Sequence, residues 1–129
     1  MKTQIIKYKN VFLNQTAAVV GSKEREGPLG EKFDSFCEDD RFGQDTWEKS
    51  ETEMVKRTLE SLIAKSKYDW NDIDLMAGGD LLDQCIATSH AVNNNGIPYL
   101  GLYGACSTAA EGLIIGSAFV EKGMVVSTV

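Results

Sequence analysis

The run Tyr99-Leu100-Gly101-Leu102-Tyr103-Gly104-Ala105-Cys106-Ser107-Thr108 decides the fold. Its first five residues read as a strand apolar on both faces, the pattern of a strand buried in the middle of a parallel sheet. Gly104 and Ala105 then permit a sharp turn, and a helix follows over residues 106–122. Ala109, Ala110, Leu113, Ile114, Ile115, Ala118 and Phe119 make that helix apolar over most of its circumference, which predicts burial on nearly all sides. Gly112 and Gly116, four apart, let another backbone approach closely, and Gly123 ends the helix as a cap. Cys106 thus falls at a strand-to-helix turn, where free N–H groups and the helix dipole favour an anion. Cysteines so placed often ionise easily and react as nucleophiles. The competing reading is a buried structural thiol, since free cysteine packs well as a small apolar residue.

Outward from this run the pattern alternates. Pro98 leads the strand, and Asn95-Gly96 stops a weaker helix over about 83–93. Ile73-Asp74-Leu75-Met76-Ala77 is a short strand closed by Gly78-Gly79, with Asp80 directly after. Asp45 and Glu48 have capping-box spacing. They open a helix whose Trp47, Met54, Val55, Leu59, Leu62 and Ile63 form one apolar stripe for a core. Residues 5–20, mostly apolar and β-branched, hold at least one strand ending at Gly21. Residues 21–44 read as a long exposed connection, with a Gly27-Pro28 turn signal and a short turn around Phe33 and Phe36. Met124–Val129 begins a further strand. Strands alternating with helices predict an α/β fold with a largely parallel sheet. Val129 falls inside an apparent core strand, and the apolar helix asks for more partners than the chain supplies. The sequence therefore predicts an incomplete, N-terminal part of a longer polypeptide.

Composition narrows the class. The 129 residues carry a net charge of -6, which disfavours nucleic acid, because phosphate contacts need a clustered positive surface. Three cysteines (Cys37, Cys85 and Cys106) without regular spacing do not describe a disulfide framework, and His90 is the single histidine. No zinc site is expected, and a reducing compartment fits. Met1 to Lys7 lacks the apolar run of a signal peptide. No window reaches the roughly 18 apolar residues needed to cross a bilayer.

In open parallel sheets, ligands bind outside the carboxyl ends of the strands. Asp80 and Cys106 both lie just past such ends, so one mouth can hold both. Helix capping explains Asp80 equally well, and Asp83, with Gln84 beside it, has the same ambiguity. Gly78-Gly79 is no phosphate loop, since neither GxGxxG nor GxxxxGK[ST] is present. His90 reads as a surface or structural histidine, and Cys37 and Cys85 as residues that pack or sit near the surface.

Ala105-Cys106-Ser107-Thr108, followed by Ala109-Ala110-Glu111-Gly112, resembles the nucleophile turn of thiolases and ketoacyl synthases. A closer match takes in Gly21 to Gly30, Ala77-Gly78-Gly79-Asp80-Leu81-Leu82, Ile97-Pro98-Tyr99-Leu100 and Tyr103 to Thr108. Together these segments resemble the stage V sporulation protein AD family, a branch of the thiolase-like superfamily. The resemblance implies an α/β, thiolase-like fold of which residues 1–129 are the truncated N-terminal half, with a mixed, mostly parallel sheet and helices on both faces. It implies a protein of endospore-forming bacteria that binds dipicolinic acid, alone or with calcium, and supports its uptake into the developing spore. The implied partners are other proteins of the same sporulation operon and a second copy joined through the thiolase-like interface. The implied location is the forespore or spore, peripheral to the inner membrane or cytoplasmic, and no cofactor or resident metal is implied.

The family's cysteine and its aspartate in the Gly-Asp-Leu-Leu stretch map onto Cys106 and Asp80. Ser107 and Gln84 beside them complete the candidate ligand contacts. The match departs at Asp83, where a neutral amide is expected, so Asp83 stays outside the set. On this reading Cys106 lines the pocket rather than reacting. Asp80 repels a bare dianion, so it either holds an associated Ca²⁺ or accepts a hydrogen bond from a protonated group. The alternative is an acyl-transferring enzyme of the thiolase or ketoacyl-synthase type with Cys106 as nucleophile.

Overall fold

A computed structural model of the chain describes residues 4–129; Met1, Lys2 and Thr3, the start of the run read above as lacking a signal peptide, lie outside the described residues. Strands β3 (Met76–Gly78) and β4 (Tyr99–Gly101) pair in parallel, Met76 opposite Tyr99 and Gly78 opposite Gly101. On the other edge of β3, Thr128 bridges Leu75, also in parallel. The Ala77 N–H donates to Val129 O at 2.7 Å, and the Val129 N–H to Leu75 O at 3.0 Å. The short central strand β3 thus has a neighbour on each side, and its Met76 and the preceding Leu75 are buried as the apolar run demands.

Helix α3 (Ile86–Val92) joins β3 to β4, and helix α4 (Thr108–Glu121) leads from β4 to Thr128. These are two βαβ crossovers, which is why the strands are parallel. Helix α2 (Trp47–Lys65) packs on α3, where the small side chains of Ala87 and Ala91 are buried and let the helices approach. A separate pair of two-residue strands, β1 (Val19–Val20) and β2 (Ser35–Phe36), is parallel as well. The α/β class and the parallel pairing follow the sequence reading, but the strands are short and fall into two groups.

Residues 21–44 are more built than the expected exposed connection. They hold α1 (Ser22–Glu26), a 3₁₀ turn at Gly30–Lys32 and the β2 strand. They also supply Phe42, the most buried large side chain, 2% exposed, with its ring beneath the Arg57 guanidinium at 5.3 Å. Phe42 has φ +53, a left-handed conformation that an aromatic residue adopts only against steric cost. Burying the ring offsets that cost, and no glycine signals the position.

Three further expectations change. Asp45 does not cap α2. Thr46 does, its Oγ1 accepting the Lys49 N–H at 3.3 Å, while the Asp45 carboxylate pairs with Lys49 Nζ at 2.8 Å. Trp47 leaves the apolar stripe; it is half exposed and sits beneath Arg41 at 4.5 Å. Most of the expected strand over residues 5–20 lies outside any sheet, tied to α4 where Glu121 accepts the N–H groups of Lys9 and Asn10 at 3.1 Å.

Helix α4 is not wrapped on all sides. Gly116 is its buried residue, while Leu113 and Ile114 are 62% and 56% exposed. The chain exposes 9012 Å², against about 6,700 Å² for a compact globule of 14.1 kDa. The expected close backbone approach changes too: a Cβ at Gly116 would lie 2.7 Å from Thr128 Oγ1, a side chain, and a Cβ at Gly112 would make ordinary contacts, with Leu102 Cδ1 at 3.5 Å and Ala77 O at 3.8 Å. Gly123 ends the helix as expected, at φ +66. Among the described residues no helix is long and apolar enough to cross a membrane.

Candidate functional site

The turns after β3 and β4 open on one cleft of about 1040 Å³. Ala77 and Gly78 of β3, Gly112 and Leu113 of α4 and the segment around Phe12 line it. Both Cys106 and Asp80 line it. The shared mouth predicted from strand ends is therefore present in the fold.

Cys106 is exposed and lies in a single 3₁₀ turn, Ala105–Ser107, that precedes α4. It is thus one turn ahead of the helix proper. Two N–H groups at this end are already used: Ser107 donates to Gly104 O at 2.8 Å, and Thr108 to Ala105 O. The turn is made sharp by Ala105, at φ +47. For a residue with a Cβ this is a strained conformation of the kind found where a side chain is held out for use.

Asp80 is buried, and its carboxylate is occupied. Oδ1 accepts the Asp83 N–H at 3.2 Å. Oδ2 accepts the Thr88 N–H at 2.9 Å and the Thr88 hydroxyl at 3.0 Å. The Asp80 N–H in turn donates to Gln84 O at 2.6 Å. Of the two sequence readings, the structure favours the capping one: Asp80 closes the turn 80–85 onto α3.

The same turn is anchored from below. The Tyr99 hydroxyl donates to Gly78 O at 2.8 Å, and Cys85 Sγ to Leu102 O at 3.3 Å. Burial, and then the neighbouring Cys85 thiol, push the Tyr99 phenol far above its ordinary range, so it remains a donor. Gly79 is indispensable here, because a Cβ would fall 2.0 Å from Leu102 O.

The remaining candidates lie apart. Ser107 Oγ is within hydrogen-bond distance of Gly104 O at 2.8 Å and Glu111 Oε1 at 2.6 Å, and is not part of the cleft wall. Gln84, at φ +63, contributes its backbone carbonyl to the turn and its side chain is exposed off the wall. His90 is exposed on α3, also off the wall.

One wall residue escaped the sequence reading. Glu51 of α2 borders the cleft next to Asp80, and its Oε1 accepts the Leu81 N–H at 3.3 Å. Its Oε2 is buried and has no hydrogen-bond partner among the described residues. Burial raises its pKa, and the nearby carboxylates of Asp80 and Asp83 add to the rise. A signal existed: Glu51 stands four residues after Trp47 and three before Met54, so it interrupts the apolar stripe rather than the charged face.

Across its whole length, residues 1–129, the chain matches the family model for Stage V sporulation protein AD (SpoVAD). The chain belongs to the SpoVAD family. It is 34% identical over 113 residues to the Stage V sporulation protein AD of Bacillus subtilis (strain 168), an alignment that covers 88% of this chain and 33% of that protein. The chain therefore spans about one third of the length of the curated relative it matches. Membership of the SpoVAD family links it to sporulation.

Proposed function

We propose that this chain forms the N-terminal, ligand-binding part of a thiolase-like protein that binds dipicolinic acid and supports its uptake into the developing spore. The observation that carries the reading is that Cys106 and Asp80 line one cleft, at the carboxyl ends of two neighbouring parallel strands, in a SpoVAD-family chain. Dipicolinate is a small, planar, aromatic dianion. Apolar walls such as Leu113 and Phe12 suit its ring, and the positive end of the α4 dipole suits a carboxylate. Cys106 lines the pocket, and Asp80 holds the turn that shapes it. Since the Asp80 oxygens are engaged by three donors, a calcium ion carried by the ligand is coordinated chiefly by the ligand's own oxygens. Transit across a membrane falls to other proteins of the same sporulation operon, with this protein at the inner membrane surface or in the cytoplasm of the forespore, where it pairs with a second copy through the thiolase-like interface.

Calorimetry of the full-length protein with dipicolinate, with and without calcium, tests the reading. Saturable heat is expected in at least one condition, weakened in Cys106→Trp, which fills the mouth. Absence of binding in both conditions ends it.

The exposure of Cys106 supports a second reading, an acyl-transferring enzyme of the thiolase type. The Cys106 thiolate would attack an acyl-CoA carbonyl, forming a thioester and releasing CoA thiol. The chain's single histidine, His90, stands off the cleft wall, so the base for this step comes from elsewhere in the full-length protein. An acyl adduct on Cys106 by mass spectrometry after incubation with acyl-CoA is the expected sign; an unmodified thiol removes this reading.

A further inference from the structure

We propose that Glu111 is a positioning residue for the cleft: through Ser107 and Gly104 it holds the turn that presents Ala105 and Cys106 to the ligand, without touching the ligand itself. The inference rests on the dipicolinate reading above and deepens it. Ala105 and Cys106 line the cleft, whereas Gly104, Ser107 and Glu111 do not. Those three meet one another instead. Ser107 Oγ lies 2.6 Å from Glu111 Oε1. The Glu111 carboxylate also occupies the space over Gly104, where a Cβ would lie 2.4 Å from Oε1 and 2.5 Å from the carboxyl carbon. One side chain thus grips the residues that flank the lining pair in sequence.

The Ser107 hydroxyl has one proton and two acceptors within reach. Gly104 O lies 2.8 Å from it, but that carbonyl already accepts the Ser107 N–H at the same distance. The carboxylate is the stronger acceptor, and 2.6 Å is the length of a charge-assisted O–H···O bond. The hydroxyl therefore donates to Glu111. Ser107 stands at the N-cap of α4, where a serine normally accepts a backbone N–H; here its side chain makes no such bond. It is committed to Glu111, which follows by four residues and so shares its face of the helix. Among the described residues this is the one side-chain hydrogen bond that ties the 104–107 turn to α4, and no ion pair draws Glu111 elsewhere. The strained φ +47 of Ala105 lies between the two gripped residues. Such strain persists only where the surroundings hold it, and the Glu111 clamp supplies that hold.

The test is calorimetry of the full-length protein with dipicolinate, with and without calcium, for wild type, E111Q, E111A, S107A and the E111A/S107A double variant. E111A and S107A are each expected to bind roughly three- to tenfold more weakly, the scale of one lost hydrogen bond. The double variant is expected to bind no more weakly than the weaker single one, because both changes remove the same bond. E111Q keeps an oxygen that accepts from Ser107, so it should stay within about twofold of wild type. Additive losses overturn the proposal, as does full affinity in E111A or an E111Q as weak as E111A. A second readout needs no ligand: the rate at which iodoacetamide modifies Cys106. E111A and S107A should each raise it by about two- to fivefold, as a loosened turn opens more often, and E111Q should leave it unchanged. A rise in E111A without one in S107A reports the lost charge rather than the clamp and overturns the proposal, as do unchanged rates in both. Wild type that binds no dipicolinate sinks the ligand reading, and the alkylation rates then decide the clamp by themselves, so the two failures are distinct.

Discussion

After β3 the chain turns through Gly79 and Asp80; after β4 it turns through Gly104, Ala105 and Cys106. The two turns are neighbours in space and equivalent in the fold, yet they are held differently. The first buries Asp80, is glycine-dependent against backbone, and its carboxylate takes three internal hydrogen bonds. The second carries an exposed thiol on a strained alanine, and the contacts around its glycine are the movable side chains of Ser107 and Glu111. A rigid turn that shapes a cleft stands beside an open turn that presents a reactive atom to it. Sites built on a fixed scaffold with a mobile or exposed group have this division.

Glycine replacement gives the largest expected effect. Gly79→Ala drives a Cβ to 2.0 Å from Leu102 O, a backbone atom that cannot step aside without parting β3 from β4. A loss of about 3 kcal/mol or more is expected in urea denaturation. Gly104→Ala meets the Glu111 carboxylate at 2.4 Å and Ser107 Oγ at 2.5 Å, both side-chain tips that can swing away, and its φ of -83 suits alanine. Its cost should stay within about 1 kcal/mol, the worth of the contact it displaces. Equal losses for the two variants would break the distinction between the turns.

The next effect concerns the acidic and thiol side chains themselves. Asp80→Ala leaves the Asp83 N–H, the Thr88 N–H and the Thr88 hydroxyl without their acceptor, at about 2–3 kcal/mol. Asp80→Asn keeps an oxygen on the same spot and should lose roughly half as much. Cys106→Ser, at an exposed position with no packing to lose, should stay within about 0.5 kcal/mol of wild type. The same denaturation series reads all three, and an Asp80→Ala variant as stable as wild type would return Asp80 to the role of a free ligand group.

This division of labour was half legible in the chain. The alternation of strand and helix, the glycine stops and the placement of Asp80 and Cys106 past strand ends follow from local pattern, and the fold bears them out. What the pattern could not carry was pairing at a distance. That Thr88 would supply donors to Asp80 depends on how α3 folds back over the turn. That Ser107 would turn to Glu111 depends on one helical turn of geometry, and it removes Ser107 from the wall. Phe42 and Gln84 adopt left-handed φ without being glycine, so no residue type announced their turns. Glu51 was readable but passed over: one acid inside an apolar stripe has no evident role until the neighbouring turn is placed.

Thiol accessibility sharpens the comparison without unfolding the protein. Cys106 is exposed, whereas Cys85 is half-buried and bonded to Leu102 O beneath the rigid turn. Iodoacetamide should modify Cys106 at least roughly tenfold faster than Cys85 in the native state, because access favours it. Mass mapping of a time course measures this. In Asp80→Ala the Cys85 rate should climb toward that of Cys106, since the turn covering it loses its anchor. Comparable rates in the wild type would mean that the two turns are equally open.

The smallest effect lies in Ala105, where the open turn stores its strain. Glycine at φ +47 escapes the Cβ clash that costs an L-residue about 1 kcal/mol or more, yet it adds flexibility to the unfolded chain worth roughly 0.5–1 kcal/mol. The two nearly cancel, so Ala105→Gly should be as stable as wild type or better by about 0.5 kcal/mol in thermal denaturation. Binding separates the roles of the residue. Ala105 lines the cleft beside Cys106, and its restricted backbone is what fixes the thiol's direction. A glycine there lets the thiol wander, so dipicolinate affinity should fall by a few-fold while stability holds. A clear drop in melting temperature would mean that the Ala105 methyl is a packing group and the turn is not strained. Unchanged affinity at unchanged stability would mean that the direction of the Cys106 thiol does not matter to the ligand, and the open turn would then differ from the rigid one in exposure alone.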